Sequence, residues 1–144
     1  MEKRNVLFVM SSLRNGGAER SLVNLLQLLD YDRYNVDLLL FQNEGMFLKQ
    51  VPKAVNIISN CNKLYTLYDN NKAEALKHPY LSAVHMIGTF ISRKKTNSVA
   101  KSRQYRWEHF YKKIVPELTK EYDVAIAYMQ REQTYFLVDK VKAA

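Results

Sequence analysis

The chain has 144 residues, 47% of them apolar and 25% charged, with a net charge of +8 at pH 7. That length suits one domain with one sizeable core, and that composition excludes a disordered chain. A single cysteine, Cys61, excludes an internal disulfide and suits a reducing compartment, and no apolar run has the length of a membrane span or a secretory signal, so a cytoplasmic protein is expected.

Asn5 to Leu13 is an apolar run rich in β-branched and aromatic residues, the pattern of a strand buried on both faces. Leu13 to Gly17 breaks it, and from Ala18 the spacing turns helical, with Leu22, Leu25, Leu26 and Leu29 on one stripe. Val36 to Phe41 predicts a second buried strand, Met46 to Val51 a short helix ending before Pro52, and Val55 to Ser59 a third strand. Leu81 to Ile91 reads as a weak helix containing Gly88, and Arg93 to Ser102 as a polar, mobile link. Trp107, Phe110, Tyr111, Ile114, Val115 and Leu118 predict a helix of three turns. Asp123 to Met129 is a fourth strand and Glu132 to Lys142 a last helix. Strands alternating with helices predict an α/β fold over residues 1–144, a parallel sheet with helices on both faces.

The basicity is concentrated. Between Ser92 and Lys113 stand Arg93, Lys94, Lys95, Lys101, Arg103, Arg106, Lys112 and Lys113 against Glu108 alone, eight cations and one acid for a net of +7. Residues 92–121 therefore form a basic segment leading into an amphipathic helix. Such a stripe attracts phosphate on nucleic acid, lipid or a small ligand, or is the solvated face of a helix. No helix-turn-helix or RNA-binding signature accompanies it, so nucleic acid is not an expected partner.

Parallel sheets bind ligands beyond the carboxyl ends of their strands. The first strand leads there into Asn15-Gly16-Gly17 and a helix start. Two glycines permit positive φ and close backbone approach, and the free N–H groups of the helix start favour an anion. Neither G-x-G-x-x-G nor a Lys-Ser/Thr after the glycines is present, which weighs against a dinucleotide fold and a P-loop. His78, His85 and His109 have no metal-ligand spacing among themselves or with Cys61.

The string NVLFVMSSLRNGGAERSLVNLLQLL, followed by YNVDLLLF, Glu44-Gly45, VNIIS and, after an unmatched middle from about Asn60 to Lys120, YDVAIAYMQREQTYFLVDKV, resembles the opening of glycosyltransferase family 4. The resemblance implies the Rossmann-like N-terminal half of a GT-B fold, the acceptor-side domain of a retaining enzyme that moves a sugar from a nucleotide sugar to a glycan or lipid-linked acceptor in cell-surface polysaccharide synthesis. It implies no metal and no cofactor beyond the donor substrate. Asn15, Gly16, Gly17 and Arg20 would lie beside the donor diphosphate and sugar, and Ser12, Glu19, Glu44, Gly45, Gln130, Arg131 and Glu132 would face the acceptor. The pair of glutamates eight positions apart in the family's later domain is absent, so no catalytic residue is assigned within this chain. Lys142-Ala143-Ala144 reads as a cut inside a domain, and the piece alone is expected to be inactive. Since many relatives use lipid-linked acceptors, Arg93, Lys94, Lys95, Lys101, Arg103 and Arg106 are expected to form a patch against the inner face of an anionic membrane. The other reading is a free-standing module that binds a phosphorylated or glycosylated ligand without turnover.

Overall fold

The computed structural model describes residues 2–58, 66–67 and 76–144. The chain divides into two compact units, Met1–Cys61 with Glu117–Ala144, and Asn62–Pro116.

The first unit is a parallel sheet. Strands β1 (Arg4–Met10), β2 (Tyr34–Leu40), β3 (Asn56–Ile58) and β5 (Val124–Ala127) lie in the order β3-β2-β1-β5, every pair parallel. Strand β4 (Glu121–Tyr122) pairs in parallel with β6 (Lys142–Ala143), where the last helix was expected to continue. β1 is central because it is apolar on both faces, and its residues Val6 to Met10 are all buried. Helix α1 (Gly17–Leu28) covers the face presented by Val6, Phe8 and Met10 with Leu22, Val23 and Leu26, while Leu25 of the expected stripe turns to solvent. On the alternate face, Phe136 of helix α4 (Glu132–Lys140) meets the ring of Phe41 edge-on at 5.7 Å. The short helix expected at Met46 to Val51 is one 3-10 turn, Leu48–Gln50. Ser59 and Cys61 lie outside the described residues.

One charge is buried in this sheet. Asp37, 3% exposed in β2, accepts hydrogen bonds from Asn56 Nδ2 at 3.0 Å, Lys120 Nζ at 2.8 Å and Tyr122 Oη at 2.8 Å. Burial alone would raise its pKa, but these bonds and the Lys120 charge outweigh that and hold the carboxyl below its ordinary value. Burial, and then the bond to Asp37, push the Tyr122 hydroxyl well above the usual phenol range.

The second unit is helical. Helix α2 (Pro79–Lys95) starts on a proline, which lacks the amide that a first turn leaves unpaired anyway. Helix α3 (Val99–Arg106) is capped by Ser98 Oγ, which accepts from Lys101 N at 3.2 Å. The segment expected to be a mobile link is thus helix except for the short break between α2 and α3. Helix α3 runs into one π-helical turn, Trp107–Tyr111, closed by Lys112 N donating to Trp107 O at 3.0 Å. The three-turn helix expected from Trp107 is replaced beyond Tyr111 by one turn in which Val115 N donates to Tyr111 O at 3.0 Å, and Pro116, which disfavours a helical conformation at Val115, ends it. Trp107, Tyr111 and Val115 are nevertheless buried, so the stripe marks core correctly with the wrong element bounds.

Candidate functional site

At the carboxyl ends of β1, β2 and β5, three loops are tied together by backbone hydrogen bonds. Gln42 N donates to Ser11 O at 2.8 Å, Leu13 N to Glu44 O at 2.9 Å, Phe47 N to Leu13 O at 3.1 Å, and Tyr128 N to Val9 O at 3.1 Å. Tyr128 Oη and Ser21 Oγ, 2.9 Å apart, link the β5 loop to α1. The rim is held by main chain, so its shape owes little to which side chains face outward.

The glycines divide the work differently from the sequence expectation. Gly16, the residue before α1, is extended, and neither it nor Gly17 has a positive φ. The positive φ belongs to Gly45, at +130°, where a Cβ would fall 1.9 Å from Leu13 O. Gly45 therefore allows the second loop to close on the first. A Cβ at Gly16 would sit 2.0 Å from Glu19 Oε2, so the Glu19 carboxylate folds back over the start of the helix. Gly16 and Glu19 occupy the cap and third positions of the helix, where an acidic side chain complements the positive helix end. A Cβ added to Gly17 would meet no atom within 4 Å outside its chain neighbours and its own helix backbone, so the approach to the backbone is open on that side.

The remaining candidates fall on the same rim in different states. Asn15 and Arg20 are exposed and Ser12 is buried. Glu44 is engaged by Arg14, whose Nε donates to its Oε1 and whose Nη2 donates to Gln42 Oε1 at 3.1 Å. Gln130 and Arg131 are exposed just before α4, and Glu132 is an acid of that helix's first turn. Gln133, which sequence reasoning passed over, is 2% exposed, and its Oε1 has no hydrogen-bond partner among the described residues. An orphaned buried acceptor costs about 1–3 kcal/mol, and nothing in the one-dimensional pattern marks this glutamine apart from its neighbours.

The six cations assigned to a membrane patch lie in the helical unit. Arg93, Lys94, Lys95 and Lys101 are exposed, while Arg103 and Arg106 are half-buried. Arg106 Nη1 donates to Thr89 Oγ1 at 2.9 Å, and its Nε is buried. Two of the histidines have ring partners, and His78 is exposed. His85 Nδ1 lies 2.5 Å from Leu67 O and 3.2 Å from Tyr111 Oη, and His109 stacks on Tyr105 with centroids 4.0 Å apart. Among the described residues, no three His, Cys, Asp or Glu side chains gather in a way that could hold a metal ion. No helix among them is long and apolar enough to cross a membrane.

Comparison with known protein families, with curated proteins and with solved structures finds no match to this chain. The fold is established at the level the geometry carries: a parallel α/β sheet with flanking helices, coarsely Rossmann-like, of the broad type that binds nucleotides and related ligands.

Proposed function

We infer that the parallel-sheet unit binds a sugar-linked diphosphate or a phosphorylated glycan at the rim of β1, β2 and β5, as the acceptor-side half of a retaining glycosyltransferase. The observation that carries the reading is the start of α1. The Gly-Gly-Ala-Glu-Arg string falls at that helix start, at the carboxyl end of the central strand, with the Gly17 backbone open to approach. In this reading the amides beside Gly17 meet a phosphate or a sugar hydroxyl, Arg20 adds charge from the next position along the helix, and Glu19 swings off the helix start to accept from the ligand. Glu44 with Arg14, and Gln130 with Arg131, form the acceptor side. Donor contacts would come largely from a second domain, so this chain is expected to bind weakly and to transfer no sugar by itself.

Amide chemical-shift mapping of the 144-residue chain with a panel of nucleotide diphosphate sugars tests the site. Shifts centred on Gly16, Gly17 and Ala18 are expected, weakened by Arg20→Gln. Shifts confined to other surfaces, or none at millimolar ligand, would sink the assignment.

A further inference from the structure

One face of helix α2 packs within its unit, and the opposite face carries large apolar side chains that no described residue covers. Leu81, Gly88 and Ser92 point inward: a Cβ on Gly88 would lie 3.3 Å from Phe110 Cδ2, and Ser92 Oγ sits 2.8 Å from Ser102 Oγ. On the opposite side, Tyr80, Met86, Ile87 and Phe90 are 68%, 71%, 55% and 62% exposed. They fall on one arc of a 3.6-residue helix, and the arc ends in Arg93 and Lys94, with Lys94 Nζ 4.5 Å from the Phe90 ring centroid, while Lys95 Nζ lies over the Tyr105 ring of α3 at 5.7 Å. Where α2 gives way to α3, a cavity of about 290 Å³ opens, bounded by Arg93, Thr96, Ser98, Val99 and Arg106. Val99 at its mouth is 70% exposed. Glu108, the sole acid between Ser92 and Lys113, accepts from Gln104 Nε2 at 2.8 Å.

We propose that α2 and α3 form a membrane-docking element, in which the outward face of α2 enters the acyl boundary of an anionic bilayer and the Arg93–Ser98–Arg106 cavity receives a lipid headgroup phosphate. Charge selects the occupant. An aromatic and aliphatic arc continuous with a net +7 segment is the pattern of a helix lying in a lipid interface. Lysines are depleted at the centres of protein–protein contacts, which argues against a protein as the cover. The cavity supplies two guanidinium groups and the Ser98 hydroxyl beside the apolar arc, matching a phosphate joined to acyl chains. Arg106 is steered there by Thr89, and Gly88 lets α3 pack closely enough to form the wall. The inference does not depend on the glycosyltransferase reading, because it rests on the helical unit alone.

Flotation of the chain with phosphatidylglycerol–phosphatidylcholine vesicles and with pure phosphatidylcholine vesicles, at low and high salt, tests it. Binding is expected to the anionic vesicles and to weaken with salt. Phe90→Asp, at an exposed position and checked for folding by circular dichroism, should lower binding by roughly tenfold or more, since it replaces an inserted ring with a charge. Arg93→Gln should lower it several-fold on anionic vesicles only. Millimolar inorganic phosphate should not release the chain, because the apolar arc holds it. Equal binding to both lipids, no binding to either, or unchanged binding by Phe90→Asp overturns the proposal. So does full release by free phosphate, which would make the cavity a site for a soluble anion, or capture by a nucleic acid in preference to vesicles.

Discussion

The two units handle apolar residues in opposite ways. In the sheet unit, β1 and β2 bury both faces, so nearly every apolar residue of those strands has a partner and the charge buried in β2, Asp37, is fully bonded. In the helical unit, α2 buries one side and leaves four large apolar side chains on the other. A continuous apolar run is what a doubly covered strand requires, so it signals its own environment. A helix that is apolar all round gives no such signal, since its period is blurred whatever covers the second face. The lesson is that apolar patterning reports burial only where a single reading of it is physically consistent.

The largest effect expected from breaking this contrast is at Gly45 in the sheet unit. Gly45→Ala must either abandon its φ of +130° or drive a Cβ into the Leu13 carbonyl, and both outcomes undo the closure of the β2 loop on the β1 loop. A loss of about 3 kcal/mol or more is expected in urea denaturation. A loss below 1 kcal/mol would mean that the loop has another conformation in solution.

Next comes Asp37. Asp37→Ala strips the acceptor from Tyr122 and Asn56 and the counter-charge from Lys120, which is itself 44% exposed and remains partly solvated. About 2–3 kcal/mol is expected, mostly from the buried Tyr122 hydroxyl left unpaired. The sign of the pH dependence follows from the lowered pKa. The unfolded carboxyl, near 3.9, binds a proton more readily than the folded one, so this contribution is complete at neutral pH and disappears as pH falls below about 4 through the folded value. The wild-type urea midpoint should therefore fall between pH 6 and pH 3 by more than that of Asp37→Asn. Equal falls would show that the buried carboxylate is not the acid-sensitive element.

A middle-sized effect distinguishes the two sides of α2. Gly88→Leu forces a side chain against Phe110 and Arg106 on the inward side and should cost about 1–3 kcal/mol by overpacking. Gly88→Ala should lie within about 1 kcal/mol of wild type, because the gain in helix propensity offsets a small displacement of the half-buried Phe110 ring. A neutral Gly88→Leu would mean that α2 and α3 are not packed closely, and the cavity wall would go with them.

What was legible in the sequence divides along the same boundary. The parallel sheet, its four main strands and the loops of the candidate rim follow from apolar runs and from Asn15-Gly16-Gly17, because both signals are local. The extension of α2 through Arg93 to Lys95 and the formation of α3 were hidden, because a polar, basic composition suits a solvated helix and an open link equally well. The early stop near Tyr111 was missed although Pro116 signals it, since the apolar stripe runs past the proline to Leu118. At the rim, the sequence marked two glycines but not the division between them. Which one lies under the Glu19 carboxylate depends on a side-chain position that no spacing rule specifies. The need for glycine at position 45 comes from a contact with Leu13, far away along the chain.

The smallest expected effect is the most informative about the site. Gly17→Ala puts a methyl where nothing lies within 4 Å, at the first position of α1, with ordinary negative φ. The folded state loses no contact and the unfolded chain loses freedom, so stability should change by less than about 1 kcal/mol, in the stabilising direction. Gly16→Ala should be nearly as mild, because the group it displaces is the flexible end of Glu19. The two variants therefore leave the fold as it is while changing the surface a ligand would touch. If the open backbone at Gly17 is where a phosphate or sugar approaches, Gly17→Ala weakens the shifts seen with nucleotide sugars and Gly17→Val abolishes them, both in a protein as stable as wild type. Gly16→Ala acts in the other direction or not at all, because moving the Glu19 carboxylate off the helix start removes a negative charge that would repel an anion there. A Gly17→Val protein that folds and binds as well as wild type would leave the Gly-Gly pair as a turn, with α1 capped by its own glutamate and the rim without its anion site.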